Sequence, residues 1–239
     1  MLDYQYPPQA ISRENAKYWR WMQAFYDREI SCPDDDGETV GQVAKRAANV
    51  RPTPEKLAYM DMELISFPHF GMSTVSGAQQ GTGKEDPTCF NPVNYDADEW
   101  VRMHKEMGAK MIVFIAKHHD GYALWPTQQN DYCIRSSPWR DGKGDMVKEM
   151  SEACRKGGLK FGLYISLWDE HDPRSVIPRN SKKAADMTDE QRRTYQDYIE
   201  TQLHETIDGR YGEITELWFD GAGTNGAEDW NRIYEIIYS

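Results

Sequence analysis

Four short apolar runs, each followed by polar and aromatic residues, constrain the fold of this 239-residue chain more than any other feature. The runs are Met62–Phe67, Lys110–Ala116, Leu159–Leu167 and Ile214–Phe219. Their lengths and their β-branched and aromatic residues predict strands. The second run, KMIVFIA, is almost continuously apolar, which is typical of a strand buried on both faces.

Segments with helical periodicity follow these runs. They are Asp96–Met107, Asp145–Arg155, Thr188–Ile207 and Asp229–Tyr238. Strands that alternate with helices predict βαβ units and a parallel sheet. Because no GxGxxG or Walker pattern follows the first strand, the sequence argues against a nucleotide-binding fold.

The residues after the four strands indicate which parallel fold this is. They read PHFG, KHHDG, WDEH and DG, and a (β/α)8 barrel carries its chemistry on loops at the carboxyl ends of its strands. A complete barrel takes about 250 residues. We therefore expect residues 51–239 to hold the N-terminal half of a TIM-like α/β barrel. We expect residues 1–50 to be a lead-in segment, with a short aromatic helix over Ala16–Arg28.

Composition limits the partners. The chain has 28 basic and 39 acidic residues, so its formal charge is −11. This negative charge argues against binding to the phosphates of nucleic acids. No apolar run approaches the roughly 20 residues that span a bilayer, and residues 1–30 lack the apolar core of a secretory signal. The cysteines, Cys32, Cys89, Cys133 and Cys154, contain no CxxC pair, so we expect free thiols and leave one disulfide open.

Strand periodicity groups the candidate site residues. Side chains alternate faces, so the pattern predicts three groups on inward faces: Glu63, Ile65 and Phe67 with His69; Ile112, Phe114 and Ala116 with His118; and Glu216 and Trp218 with Asp220. Tyr164, Ser166 and Trp168 share a face of the third strand, and His119 is expected opposite His118. A mouth of imidazoles, aromatic rings and one carboxylate suits a sugar ring.

Three chemistries compete for this mouth. Metal-dependent hydrolysis would use His69, His118, His119 and Asp220 as ligands, although barrel metallohydrolases usually offer an HxH pair after the first strand. A Ser-His-Asp hydrolase would need a GxSxG elbow, which is absent. Glycoside hydrolysis needs two carboxyl groups, of which Asp220 supplies one.

Three motifs add a family resemblance. The segments GAKMIVFIAKHHDGYALWPT, LKFGLYISLWDEHDP and ELWFDG resemble glycoside hydrolase family 29, the α-L-fucosidases, within a similarity that runs from about Arg51 to the C-terminus. The resemblance implies that Asp220 is the catalytic nucleophile. It also implies that His69, His118 and His119 hold the hydroxyls of fucose, and that Tyr164 and Trp218 line the same subsite.

The resemblance has further implications. SLWDEHDP is similar to the subgroup that acts on α-1,3/1,4-fucosyl linkages, with Trp168 and Asp169 as pocket residues; for Glu63 we expect a substrate or structural role. The family is retaining, works through a covalent fucosyl-enzyme and needs no metal or organic cofactor. Its substrates are fucosylated oligosaccharides or glycoconjugates, and a secreted or periplasmic location is favoured.

One departure keeps alternatives open. The family's acid/base Glu lies several tens of residues beyond the nucleophile, and the chain ends 19 residues after Asp220. We therefore expect the acid/base beyond the chain end, with a fucose-binding, catalytically deficient pseudo-enzyme as the alternative and a metal-dependent barrel hydrolase as the weaker one. The open sheet edge of a half barrel predicts a longer protein or pairing into a homo-oligomer.

Overall fold

The computed structural model describes residues 40–49, 51–175, 187–221 and 228–239, and the chain divides into two units, Met1–Leu57 and Ala58–Ser239. In the first unit, helix α1 (Val40–Ala48) is an addition to the predicted elements. The aromatic helix expected over Ala16–Arg28 lies outside the described residues. Helix α2 (Pro54–Met60) begins at a proline, which is tolerated at the first helical position.

A four-stranded parallel sheet forms the centre of the second unit, as the sequence predicts. Its strands lie in the order β1 (Ile65–Ser66), β2 (Met111–Lys117), β3 (Lys160–Ser166) and β4 (Glu216–Asp220). The helices are α3 (Met72–Ser76), α4 (Ala97–Glu106), α5 (Met146–Gly157), α6 (Asp189–Ile207) and α7 (Trp230–Tyr238). The four predicted helices are confirmed to within two residues at each end.

Side-chain caps explain why these helices begin where they do. A side chain directly before α4, α5, α6 and α7 accepts a hydrogen bond from a backbone N–H of the first turn. The capping residues are Asp96, Asp145, Thr188 and Asp229. At α6 the cap is reciprocal, because the Gln191 side chain accepts in turn from the backbone N–H of Thr188.

The two faces of the sheet pack against different partners. One face carries Ile112, Phe114 and Ala116, which join a large apolar cluster together with side chains of α4, α5, α6 and α7. The other face carries Val113 and Ile115, which pack with Tyr164 of β3. All seven residues of β2 are buried, which confirms the prediction of a strand covered on both sides.

Two strand predictions need correction. The first strand is two residues long rather than Met62–Phe67, because Glu63 adopts a left-handed backbone conformation (φ 58°) that interrupts the extended chain. The faces of β2 are the reverse of the prediction. Ile112, Phe114 and Ala116 were expected to face inward, but they face the helices. Alternation counted along β2 therefore does not show which residues point to the mouth. In the first segment it does for Ile65 and Phe67, which pack on the same face as Val113, Ile115 and Tyr164.

Within the described ranges, no helix has the length and apolar character needed to cross a bilayer. Cys89, Cys133 and Cys154 are free thiols, and the latter two are buried. Cys32 lies outside the described residues.

Candidate functional site

Seven of the nine predicted site residues meet at the carboxyl ends of the four strands. Neighbouring pairs are in ring contact: His69 lies 5.7 Å from His118, His118 lies 4.4 Å from His119, and His119 lies 5.1 Å from Trp168, all between ring centroids. The cluster comprises His69, His118, His119, Tyr164, Trp168, Trp218 and Asp220.

An irregularity in β2 brings both histidines to the same mouth. The pairing of β2 with β3 shifts register between Ile115 and Lys117. Beyond this bulge strict alternation no longer holds, so His118 stacks on the Tyr164 ring (5.5 Å) while His119 reaches Ser166 of β3. The expectation that the two imidazoles lie on opposite faces is therefore wrong.

Asp220, the last residue of β4, has both carboxylate oxygens engaged. Oδ2 accepts a hydrogen bond from the Tyr164 hydroxyl (2.7 Å) and lies 3.4 Å from His119 Nε2, and Oδ1 accepts from the backbone N–H of Gly221 (2.7 Å). Partial burial acts to raise the pKa of Asp220. The hydrogen bonds from Tyr164 and Gly221, together with the imidazoles of His119 and His118, lower this pKa below its ordinary value of 3.8. The carboxyl group is therefore ionised at neutral pH.

Glycine is required directly after Asp220. Gly221 has a left-handed backbone conformation (φ 69°), and a Cβ there would lie 2.7 Å from the Cβ of Trp168. The DG dipeptide after β4 thus lets the chain turn beneath the Trp168 side chain while its N–H holds the carboxylate.

His118 sits at the centre of the ring cluster and is half buried. Burial and the neighbouring His119 and His69 lower the pKa of His118 to about 4, and Asp220 only partly opposes this. Its Nδ1 has no hydrogen-bond partner among the described residues. At neutral pH this imidazole is uncharged.

Aromatic rings form the wall between β1 and β4. The Phe67 ring contacts those of Trp218 (5.0 Å), Tyr164 (5.5 Å) and His69 (4.5 Å), measured between ring centroids. The Trp218 side chain is 45% exposed and His69 is also exposed. This open apolar wall beside polar imidazoles can cover the C–H face of a sugar ring while its hydroxyls are hydrogen-bonded.

The other two predicted residues lie elsewhere. Asp169 is buried on the helix side, where Oδ2 accepts from Lys117 Nζ (3.0 Å) and the Tyr198 hydroxyl (2.5 Å), so its role as a pocket residue is corrected to a structural one. Glu63 is exposed and precedes β1, at the amino end of the strands. Neither carboxylate faces the imidazole cluster.

Ser166 belongs to the site but was not predicted as a site residue. It ends β3, is fully buried, and its Oγ lies 2.7 Å from His119 Nδ1 and 2.6 Å from the Trp168 carbonyl oxygen. The signal was present in the sequence, because Ser166 shares a strand face with Tyr164 and Trp168. A buried hydroxyl at a strand end needs partners, and the strand ends were already the candidate mouth.

In the part of the chain that the structure describes, no group of three or more His, Cys, Asp or Glu side chains is arranged to hold a metal ion. His119 Nδ1 is engaged by Ser166, and Oδ2 of Asp220 is engaged by Tyr164.

Comparison with known proteins relates this geometry to a family. A family model described as Alpha-L-fucosidase matches residues 15–238. Alpha-L-fucosidase 1 of Arabidopsis thaliana is 35% identical over 188 residues, covering 79% of this chain and 34% of that protein. The chain thus spans about a third of the length of the curated relatives that it matches first.

Solved structures give the same result. A putative α-L-fucosidase from Bacteroides ovatus is 42% identical with a TM-score of 0.69, covering 85% of this chain and 33% of that one. A glycoside hydrolase family 29 α-L-fucosidase from Bacteroides thetaiotaomicron, described as a trapped covalent intermediate with 2-fluoro-fucosyl fluoride, is 26% identical with a TM-score of 0.59. It covers 72% of this chain and 42% of that one. The chain has part of the α/β barrel fold of these enzymes, and it belongs to the α-L-fucosidase family, glycoside hydrolase family 29.

Proposed function

We propose that this chain carries the nucleophile half of a retaining exo-α-L-fucosidase that hydrolyses terminal α-L-fucosyl linkages of glycans. The observation that carries the proposal is the ionised Asp220, held by Tyr164 and Gly221 beside three imidazoles. The substrates are fucosylated oligosaccharides or glycoconjugates. The SLWDEHDP segment favours α-1,3/1,4 linkages, through its resemblance to that subgroup.

In the proposed reaction, a carboxylate oxygen of Asp220 attacks the anomeric carbon while the bond to the leaving oxygen breaks. The leaving oxygen takes a proton from a general acid, and a water molecule then cleaves the fucosyl ester to regenerate Asp220. The low pKa of Asp220 suits this role, because only the ionised form is nucleophilic. The covalent intermediate described for the related Bacteroides thetaiotaomicron enzyme supports the same route here.

The other residues of the cluster are assigned to substrate binding. We assign His118 and His69 to hydrogen bonds with hydroxyls of the sugar, and Trp218 and Phe67 to the apolar wall, since these rings lie in one cluster. We assign the general acid to no residue of the described cluster, since its only carboxylate is the proposed nucleophile, Asp220. With an aryl fucoside whose leaving group is a weak base, the first step needs no acid, so the nucleophile is tested separately.

The proposal is tested by trapping the intermediate. Incubation of the chain with 2-fluoro-fucosyl fluoride is expected to add one fluorofucosyl group to Asp220, because the fluorine slows ester hydrolysis. Intact mass and peptide mass spectrometry measure the adduct and its position. An adduct on another residue would contradict the assignment, and L-fucose binding by calorimetry without any adduct would support the fucose-binding alternative.

Tyr164→Phe tests how Asp220 is kept ionised. Loss of the hydroxyl removes the 2.7 Å hydrogen bond to Oδ2, so the pKa of Asp220 is expected to rise. A nucleophile with a raised pKa becomes protonated at a higher pH, so the acid limb of the kcat/KM profile on an activated aryl α-L-fucoside moves to higher pH. We also expect turnover to fall by about 10²-fold, the typical effect of one lost donor at a reacting oxygen.

Tyr195→Phe is the matched control for this variant. The Tyr195 hydroxyl is also buried and hydrogen-bonded, but it binds the carbonyl oxygen of Leu167 on the helix side. It should leave the acid limb unchanged. Equal shifts in both variants would indicate a general loss of packing rather than an effect on Asp220.

A further inference from the structure

A chain of polar contacts runs through Ser166 and His119 to the proposed nucleophile. Ser166 Oγ lies 2.6 Å from the carbonyl oxygen of Trp168 and 2.7 Å from Nδ1 of His119. The other ring nitrogen of His119, Nε2, lies 3.4 Å from Oδ2 of Asp220. Both Ser166 and His119 are buried, so water does not compete readily for these bonds.

The direction of each bond follows from the number of protons. A serine hydroxyl has one proton to donate, and a backbone carbonyl can only accept. The proton of Ser166 therefore points to the Trp168 carbonyl, and the oxygen presents a lone pair to His119. Nδ1 of His119 must then carry a hydrogen, because two lone pairs 2.7 Å apart would repel.

This fixes what happens at the opposite side of the ring. If His119 is neutral with its hydrogen on Nδ1, its Nε2 presents a lone pair to the ionised carboxylate of Asp220. That contact becomes attractive only when Nε2 also carries a hydrogen, which makes the ring an imidazolium paired with the carboxylate.

We propose that Ser166 is a positioning residue that holds a hydrogen on Nδ1 of His119, so that Nε2 is the ring's single titrating atom and its hydrogen depends on the charge of Asp220. The catalytic meaning of this device rests on the proposed function, because formation of a fucosyl ester would remove that charge. The arrangement of protons itself does not rest on it.

Several groups besides Ser166 act on the His119 ring. His118 lies on the same turn after β2, Asp220 comes from β4, and Tyr164 of β3 donates to the same Oδ2 that faces Nε2. His69, after β1, contacts His118. Substitution of Ser166 leaves all four of these groups in place, so its effect on Nδ1 can be measured separately.

The experiment is ¹⁵N NMR of the imidazoles in the 239-residue chain, without substrate, because protonated and unprotonated ring nitrogens have well-separated chemical shifts. In the wild type we expect Nδ1 of His119 to remain protonated from about pH 5 to pH 8, the range in which histidine ordinarily titrates. In Ser166→Ala the acceptor is lost. The neutral ring should then move its hydrogen to Nε2, facing Asp220, and Nδ1 should become unprotonated at neutral pH.

Two further variants separate this effect from misfolding. Ser166→Thr retains the hydroxyl and should restore the wild-type Nδ1 signal. Ser151→Ala removes a buried hydroxyl on α5, which donates to the Lys148 carbonyl, and should leave His119 unchanged. The proposal is overturned if Nδ1 is unprotonated in the wild type at neutral pH, a result that needs no variant to fold, or if Ser166→Ala leaves the Nδ1 signal as in the wild type.

Adduct formation provides the second measurement. If the fluorofucosyl adduct fails to form while the NMR result holds, the proposed function falls and the positioning of His119 stands. If the adduct forms on Asp220 but the NMR result fails, the positioning of His119 is rejected and the proposed function stands.

Discussion

Asp220→Asn is expected to lower turnover of a dinitrophenyl α-L-fucoside by on the order of 10⁴-fold or more, the scale on which loss of a catalytic nucleophile acts. The amide matches the carboxylate in shape, and its oxygen can still accept from Tyr164 or Gly221. It lacks the negative charge that attacks the anomeric carbon. Because the Asp220 side chain is 46% exposed, the variant should fold, and the loss should appear in kcat rather than in yield.

Asp229→Asn is the matched control for this substitution. Asp229 caps α7 by accepting from the backbone N–H of Arg232, and Asn is nearly as good a cap as Asp. Its turnover should equal that of the wild type. Turnover of Asp220→Asn within about tenfold of wild type would remove Asp220 from the nucleophile role.

A third variant examines the stereochemistry. Asp220→Gly opens the space of the carboxylate, and added azide is expected to restore turnover of the dinitrophenyl fucoside by attacking from that side. Retention in the wild-type reaction requires two displacements, whereas azide makes one. The product should therefore be the β-fucosyl azide, and formation of the α-azide would contradict attack from the Asp220 side.

The sequence predicts the elements of this fold better than the directions of their side chains. Helix starts are set locally, by caps such as Asp145 and Thr188, and so they can be read from a few neighbouring residues. The inward face of β2 depends on packing against strands far along the chain and on a register shift at its end. For that reason Ile112 and Phe114 were placed on the wrong face although the strand itself was predicted correctly.

The residues of the site likewise differ in whether neighbouring sequence or distant packing determines their role. His118 and His119 can be predicted as site residues because they stand in an uncommon motif at a strand end. That prediction holds even when the inward face of β2 is predicted wrongly. Asp169 stands in an equally polar motif, WDEH, and its actual partners are Lys117 and Tyr198, which are 52 and 29 residues away in the sequence. Only the fold reveals that this carboxylate is fully occupied on the helix side of the sheet.

The buried pair of Asp169 and Lys117 is where we expect a substitution to have the largest effect on stability. Lys117→Met should lower the free energy of unfolding by about 3–5 kcal/mol, because it leaves Asp169 as a buried charge without its cationic partner. The two side chains are 1% and 0% exposed and 3.0 Å apart. Since whole domains are stable by only about 5–15 kcal/mol, urea denaturation at neutral pH should show the loss clearly.

Lys160→Met is the matched control. This lysine begins β3 and lies 3.4 Å from Glu213, but both side chains are at least half exposed, so the expected cost is about 0–1 kcal/mol. A cost for Lys117→Met as small as that of Lys160→Met would show that the buried pair contributes nothing specific.

The pH dependence identifies the buried charge as the cause. In the wild type, burial acts to raise the pKa of Asp169, but Lys117 and the Tyr198 hydroxyl lower it below its ordinary value of 3.8. The pair's contribution is therefore present at neutral pH and lost only in acid, as the pH falls through the folded-state pKa. In Lys117→Met, burial without the ammonium should raise that pKa, so stability should increase on acidification from pH 7 to 5 by more than it does in the wild type. The double variant Lys117→Met with Asp169→Asn removes the charge altogether and should recover most of the loss at pH 7, whereas a loss caused by the altered shape of residue 117 would remain.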